Sequence, residues 1–370
     1  MRVIHLTETL GYSGGAAQAF FLALKLRGKG IENYFAINPQ SELGYRAKNE
    51  GFKIFDIDIR RNMDFKAAKR FSKIVDEIKP DIVHAHHPKA HNTAVLAKLL
   101  FGKRFALVVS RRVIHKLPRN IFARFKYRTS LVDAYIAVCE YVAKMLEDYG
   151  ISKKKIFVVY SGVDRNVFDR KSKDIEFKRS LGLKDDDFVI TLIGNFGKDK
   201  GHDVLIKALS LVEKKGFDFR AVFAGTKTDS NEIKDLFKTY VSDFSKGIFL
   251  GFRRDVERIL NITDISINSA VRGEAVSGAI RESMACGLCC IASDIGGNCE
   301  IVKDGYNGFL FRVGDFKGLS EKIIFLMKNP NLRKKISENA YASITEKFSV
   351  ERMAKETLDV YMSVLEKKGI

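Results

Sequence analysis

VITLIGNFGKDKGHDVLIKALSLV, residues 189 to 212, decides the fold of this chain. An apolar run, Phe188 to Ile193, enters a turn carrying Gly194, Gly197 and Gly201, and behind the turn the apolar residues take up helical spacing. Strand, glycine turn and helix in that order are half of a βαβ unit, the building block of parallel sheets. The turn also holds Lys198 and Lys200. Unpaired backbone N–H groups at a helix entrance and nearby ammonium groups suit a diphosphate. A solvated loop with surface lysines is the plainer alternative.

Outward from this stretch the same alternation covers most of the chain. Upstream strands are expected at Arg2 to Leu6, Asn33 to Ile37, Lys53 to Asp56, Ile82 to His84, Ala106 to Val109 and Ala134 to Val138, with helices between them, as at Ala16 to Leu26 and Ala67 to Ile78. Downstream strands follow at Ala221 to Ala224, Gly247 to Leu250, Ile265 to Ile267 and Cys289 to Ala292. The 370 residues exceed one average domain, and 46% apolar content leaves ample material for two cores. The expected fold class is α/β: two doubly wound Rossmann-like domains facing a central cleft, residues 1–165 and 166–350, with Asp164 to Arg179 as linker. The amphipathic segment Glu351 to Lys367 is long enough to pack back on the first domain, so 351–370 is assigned there. Ligands of such sheets sit at the carboxyl ends of the strands.

Charge is unevenly spread. Residues 1 to 165 hold 30 Lys and Arg against 15 Asp and Glu, whereas the remainder holds 34 against 30. A basic first half attracts polyanions: nucleic acid, an anionic bilayer or a phosphorylated acceptor. No run of 18 apolar residues occurs, and the N-terminus enters a short strand directly, which reads as a cytoplasmic chain without a transmembrane helix. Five cysteines, four of them between Cys286 and Cys299, do not form a secreted disulfide framework.

A second constellation, EAVSGAIRESMACG, spans residues 274 to 287 and precedes an apolar strand and Ser293-Asp294-Ile295-Gly296-Gly297. Glu274 is expected just before a helix start and Glu282 two turns inside it, with the small Ser277 and Gly278 between. Backbone N–H groups there meet phosphate oxygens, and carboxylates on either side accept hydrogen bonds from sugar hydroxyls. Two solvated glutamates on a surface helix are the alternative, because an eight-residue spacing alone arises by chance.

Together the pieces SGGAAQAFFLAL (13 to 24), SGVD (161 to 164), GNFGKDKGHDVLIKAL (194 to 209), EAVSGAIRESMACG and ASDIGGNCEIVKDGYNGFLF (292 to 311) resemble glycosyltransferase family 4, of GT-B fold, in order and spacing over essentially the whole chain. The resemblance implies a retaining transferase using a nucleotide-sugar donor. It implies that Glu282 holds the donor ribose, that Glu274 contacts the transferred sugar, and that Lys200 neutralises the diphosphate, whose oxygens meet the backbone of Ser277, Gly278 and Ala279. Gly14 and Gly15 are expected to close over the diphosphate, the Gly194-Asn195 turn to line it, and Arg253, in the loop from Gly251 to Arg254, to lie beside the base. No cofactor and no metal are implied, and no Asp-x-Asp is expected to hold a divalent ion.

Two positions depart from the family pattern. Asn195 stands where members usually carry an arginine, leaving Lys198 as the candidate second cation. Ser110-Arg111-Arg112 replaces a Thr-x-His whose histidine borders the reacting sugar. Arginine cannot act as a base, so Arg112 is expected to bind an anionic acceptor or sugar.

His84, His86, His87 and His91 suggest a metal cluster, but no single face presents all four, and a strand end lining an acceptor groove fits them better. Cys286, Cys289, Cys290 and Cys299 read as small thiols in the core. The segment Arg111 to Arg128 mixes Lys116, Arg119, Arg124 and Lys126 with Phe122, Phe125 and Tyr127, the make-up of a helix lying on an anionic membrane or of an ordinary amphipathic helix with core aromatics. The expected function is a peripheral enzyme on the inner face of the cytoplasmic membrane that glycosylates a lipid-linked or envelope glycan such as lipopolysaccharide, with UDP-sugars favoured over GDP-sugars. A soluble enzyme acting on a small sugar or sugar phosphate is the alternative. A nucleic-acid-binding protein on a GT-B shell is the alternative of another class, and donor-site residues in both motifs argue against a nucleic-acid partner.

Overall fold

The computed structural model describes residues 1–11, 14–114, 117 and 120–369, with Ile121, Phe122 and Phe125 described by backbone alone. The chain divides into two compact units, Met1–Gly162 with Val350–Ile370, and Val163–Ser349.

In the first unit seven strands, β1 (Arg2–Leu6), β2 (Glu32–Ile37), β3 (Lys53–Asp56), β4 (Ile82–Ala85), β5 (Ala106–Arg111), β6 (Ala134–Ala137) and β7 (Ile156–Val158), pair in the order β3-β2-β1-β4-β5-β6-β7. Every pairing is parallel. Helices α1 (Gly14–Arg27), α2 (Glu42–Asn49), α3 (Phe65–Ile78), α4 (Pro88–Phe101), α5 (Ile121–Arg128) and α6 (Glu140–Asp148) supply the crossovers. Helix ends follow local chemistry: Ser41 caps α2 through the Gly44 N–H, Asp64 caps α3 through Ala67, and Gly102 ends α4 in the left-handed region.

The second unit holds α7 (Ile175–Ser180), β8 (Val189–Ile193), α8 (His202–Lys214), β9 (Arg220–Ala224), α9 (Asn231–Tyr240), β10 (Gly247–Phe249), α10 (Val256–Asn261), β11 (Ile265–Asn268), α11 (Gly278–Ala285), β12 (Cys289–Ser293), α12 (Asn298–Ile301), β13 (Phe309–Phe311), α13 (Phe316–Lys328) and α14 (Pro330–Lys347). Its strands pair β10-β9-β8-β11-β12-β13, again all parallel. This is the doubly wound order of dinucleotide-binding domains.

The expected strands all form, with ends shifted by one or two residues. Two short edge strands, β7 and β13, go beyond the expected set: three residues carry too little periodicity to stand out. The expected linker is partly helical, since Asp174 accepts the Phe177 N–H and starts α7. The last helix, α15 (Val350–Glu366), belongs to the first unit, where Met353, Ala354, Val360, Tyr361, Val364 and Leu365 join Val3, Leu22, Ile82 and Val108 in one core.

Candidate functional site

The second sheet reverses its winding between β8 and β11, and ligands of open α/β sheets bind at that switch point. Three loops leave neighbouring strand ends there and are fastened to one another through backbone. The Val271 N–H donates to the Asp199 carbonyl (2.8 Å), and Ser269 Oγ donates to the Gly201 carbonyl (2.8 Å). Gly201 is left-handed (φ +63°), and a Cβ on it would stand 1.9 Å from the Ser269 carbonyl oxygen. The third loop crosses at Gly297, whose N–H meets the Glu274 carbonyl at 3.4 Å and on which a Cβ would lie 1.6 Å from the Ala275 carbonyl oxygen. Both glycines are required by close backbone approach.

This lacing brings together Lys200, Glu274, Ser277, Gly278, Ala279 and Glu282. Lys200 Nζ pairs with the Glu274 carboxylate, the lysine side chain 39% exposed and the glutamate 8%. Ser277 caps α11: its Oγ accepts the Ile280 N–H and is itself held by Asn268 Nδ2 at 2.9 Å. A helix start leaves its first N–H groups without intrahelical partners, and at α11 the first two belong to Gly278 and Ala279. Glu282 lies five residues past the cap, less deep than the two turns expected, and helical side chains lean back toward the N-terminus. Its Oε1 accordingly comes within 3.6 Å of where a Cβ on Gly278 would be. Burial holds the Glu282 carboxyl above the usual carboxylate range, opposed by the charge of Arg281.

Arg281 joins the site without having been marked by its sequence motif. It is 6% exposed, with Nη2 within 3.8 Å of the same Gly278 position, and burial lowers its pKa to about 10 against the opposing charges of Glu282 and Glu274. A charged residue in a helix turn otherwise filled by small and apolar side chains is the signal that could have found it.

The other expected donor residues are engaged differently. The Gly194 N–H bonds the Ala224 carbonyl (2.8 Å), and Asn195 Oδ1 accepts the Thr226 N–H (2.9 Å), so the side chain standing in the arginine's place fastens a turn. Lys198 is exposed. Arg253 donates to the Asp255 carboxylate at 2.8 and 2.6 Å, which ties its guanidinium to its own loop. Asp-x-Asp triplets do occur, at Asp56-Ile57-Asp58 and Asp185-Asp186-Asp187. Their carboxylates are engaged by arginines: Asp56 pairs with Arg70, Asp58 with Arg60, Asp185 with Arg179 and Asp187 with Arg220. Cys286, Cys289 and Cys290 are buried free thiols, whereas Cys299 is exposed rather than in the core; burial pushes Cys286 and Cys289 up to about 12.

In the first unit Gly14 and Gly15 open α1, and Arg112 follows β5, its Nη1 donating to Ser161 Oγ at 2.9 Å. The histidine cluster differs from the four considered. Its third member is His5, which lies opposite His84 in the β1–β4 register. Nitrogens of His5, His84 and His86 lie within 4.8 Å of one another. The rings lie against one another, His84 on His86 at 4.0 Å and His5 beside His86 at 5.3 Å between centroids. His5 bonds Asn33 Oδ1 (2.9 Å) and His86 (3.0 Å), while His84 bonds Tyr361 Oη (2.6 Å) and Ser110 Oγ (2.7 Å). The stack is a neutral polar core, its basicity lowered first by burial. His91 stands apart, edge-on to Tyr127.

The basic segment also turns inward more than expected. Arg111 and Tyr127 are buried, and Lys126 Nζ donates to the Pro88 carbonyl (2.8 Å), its pKa lowered to about 7 by burial. Arg124 and Arg128 are exposed, whereas Lys116, Arg119 and the side chains of Phe122 and Phe125 lie outside the described residues. Among the described residues no helix is long and apolar enough to cross a membrane.

Comparison with known proteins bears on both units. The Glycosyltransferase Family 4 model matches residues 12–167, and the model for glycosyl transferases group 1 matches residues 173–343. An uncharacterized glycosyltransferase of Methanocaldococcus jannaschii is 30% identical over 302 residues, 80% of this chain and 79% of that one. The Escherichia coli UDP-Gal:alpha-D-GlcNAc-diphosphoundecaprenol alpha-1,3-galactosyltransferase is 26% identical over 319 residues, covering 82% and 81%. The crystal structure of Anabaena HepE in complex with UDP and glucose superimposes with a TM-score of 0.84 at 20% identity, covering 98% of this chain and 100% of that one. Two doubly wound domains, a laced glycine turn at the switch point of the second sheet and these matches lead to one conclusion: the chain belongs to glycosyltransferase family 4 and is a glycosyltransferase of GT-B fold using a nucleotide-sugar donor.

Proposed function

We propose that this enzyme is a retaining transferase that takes its sugar from a UDP-sugar, without a divalent metal, and passes it to a hydroxyl of a lipid-linked or envelope glycan. The observation that carries the donor reading is the gathering of Lys200, Glu274, the Ser277 cap and Glu282 at the β8–β11 switch point. Cleaving a glycosyl–phosphate bond builds negative charge on the departing diphosphate. A fixed ammonium group and aimed N–H groups stabilise that charge without reorganisation. Lys200 supplies the first and the Gly278–Ala279 helix entrance the second. Glu282, leaning back over Gly278, is suited to accept ribose hydroxyls, and Glu274 those of the sugar. In a retaining transfer the acceptor oxygen bonds the anomeric carbon on the face the diphosphate leaves, and the acceptor proton passes to the departing phosphate, so no side-chain nucleophile is needed. UDP is favoured because HepE was crystallised with it, and a lipid-linked acceptor because the E. coli relative is named for one. The basic excess of residues 1 to 165 suits an anionic surface on the cytoplasmic side of a membrane.

The test is thermal shift against UDP-, GDP- and ADP-sugars, since a ligand bound by the native state raises Tm. It is followed by turnover of the donor so found. Glu282→Ala is expected to weaken nucleotide binding about tenfold or more, the size of a lost charge-assisted hydrogen bond. Lys200→Ala is expected to slow transfer on the order of 10²-fold, more than it weakens binding. Wild-type turnover in both variants rules the assignment out.

A further inference from the structure

We propose that Arg281 is a positioning residue for the donor nucleotide: its buried guanidinium balances the charge of Glu282 and so keeps that carboxylate an acceptor for the ribose hydroxyls. This role rests on the donor-site reading above, and every residue in it belongs to the second unit.

A guanidinium packed inside a helix turn calls for a reason, because a charge taken out of water is costly unless an opposite charge answers it. The neighbours of Arg281 along α11 are Ile280, Ser283, Met284 and Ala285, all buried, and Arg281 itself is 6% exposed. Helical side chains lean toward the N-terminus, so the residues three and four places past Gly278 both return to it. Arg281 Nη2 comes within 3.8 Å, and Glu282 Oε1 within 3.6 Å, of where a Cβ on Gly278 would stand. Guanidinium and carboxylate therefore converge on one point of the helix entrance. Glu274, the other carboxylate of the site, pairs with Lys200. The charge that answers Glu282 is that of Arg281.

Burial pushes the Glu282 carboxyl up and the Arg281 charge pulls it back, so removing that charge leaves burial unopposed. The other groups packed around the pair do not replace it. Cys286, at the C-cap of α11, feels Glu282 but is a neutral thiol pushed up to about 12, and it feels in turn Lys171, Asp169 and Glu257. From β11 and β12 come Ser266, bonded to Ser283, and Cys290, a thiol raised well above its ordinary value. Helix α14 buries Ile336, Ala340 and Ile344, while its lysines and glutamates are exposed. Its Arg333 donates to the Leu326 carbonyl and its Tyr341 to Asp169. An ionised carboxylate accepts from two ribose hydroxyls through charge-assisted bonds, whereas a protonated one turns an acceptor into a donor.

The experiment is calorimetry of UDP binding to the full chain between pH 8 and pH 6, read as the ratio of variant to wild-type affinity, in which the titration of UDP itself cancels. In Arg281→Met, which keeps a long unbranched side chain but no charge, that ratio is expected to be about tenfold lower at pH 6 than at pH 8, because Glu282 takes up its proton at a higher pH. Arg281→Lys, which keeps the charge, is expected to show no such pH dependence. Glu282→Gln removes the titrating group, and adding Arg281→Met to it is expected to cost no further affinity at any pH. The double variant leaves neither charge buried without its opposite, so it reports even where Arg281→Met alone does not fold. A pH-independent ratio in Arg281→Met overturns the proposal, as does a further loss in the double variant, the pattern of an arginine that touches UDP itself or merely fills space. A wild-type chain that binds none of UDP, GDP and ADP removes the donor-site reading, and this inference with it.

Discussion

The two units wind their sheets in the same order, and each opens its switch point at the carboxyl ends of its strands, yet they fasten those edges with different materials. In the second unit the loops after β8, β11 and β12 are tied by backbone and by neutral side chains: Gly201 against Ser269, Gly297 against Ala275, Asn268 against Ser277. In the first unit the corresponding edge is tied by imidazoles, His5 on His86 and His84 between Tyr361 and Ser110. The difference teaches where each unit is vulnerable. A backbone tie fails when a side chain is added. An imidazole tie fails when a proton is.

The largest expected effect follows from that second statement. Burial lowers His5 to about 4 and holds His84, His86 and His91 well below 6.5, whereas the unfolded chain takes up protons near 6.5. Below pH 6.5 the unfolded state therefore binds more protons than the folded one, and stability falls with pH. His5 alone accounts for about 2 kcal/mol between pH 7 and 5, and the other three histidines act with the same sign. The second unit has one such group among its described residues, His202, lowered to about 4. It also has Glu282, whose raised pKa favours the folded state as pH falls. Hydrogen exchange between pH 7 and 5, above the range where ordinary carboxylates titrate, is expected to show the protection of the β1–β4–β5 core falling several times more steeply than that of the β8–β11–β12 core. Equal slopes in the two units break the comparison.

Next in size is the backbone tie. Alanine at 297 drives a Cβ to 1.6 Å from the Ala275 carbonyl oxygen, which forces the loops after β11 and β12 apart. Gly297→Ala is expected to destabilise the second unit by about 3 kcal/mol or more, at the upper end of single substitutions, and to abolish nucleotide binding. Gly14→Ala, where a Cβ would meet nothing within 4 Å, is the control and is expected to leave stability near wild type. Calorimetric melting checks both.

The same contrast explains what is legible in the sequence. Backbone ties leave a signature in the residues themselves, because only glycine fits at Gly201 and Gly297, and so the second unit's glycine turn stands out in the residue pattern, whereas the carboxylate pair is marked by its surroundings and not by its spacing. Side-chain ties depend on register. His84 and His86 are visible as neighbours, but His5 joins them only because β1 lies beside β4 with His5 opposite His84, a pairing no local pattern contains. His87 has the spacing of a member of that cluster and instead turns to Thr7 and Gly15. Arg281 is inconspicuous because charge in a helix reads as surface until the helix is packed, and the inward turn of Lys126 toward Pro88 is hidden for the same reason.

The smallest expected effect probes the Lys200–Glu274 charge pair within the laced edge. Lys200 pairs with Glu274, a carboxylate only 8% exposed. If Lys200 serves the diphosphate and Glu274 the sugar, a nucleoside diphosphate lacking the sugar competes with Glu274 for the same ammonium group. Glu274→Gln keeps the side chain's shape but removes its charge. It is expected to tighten UDP binding by roughly two- to tenfold, within the range of a partly exposed ion pair, while slowing transfer because one of the two accepting oxygens becomes an NH2 donor and the hydrogen bond to the sugar hydroxyl is no longer charge-assisted. Calorimetry with UDP beside turnover of the UDP-sugar separates the two. Weakened UDP binding in Glu274→Gln shows that the pair orders Lys200 for the phosphate rather than competing with it, and adds charge to the backbone and neutral side chains that tie the β8 and β11 loops.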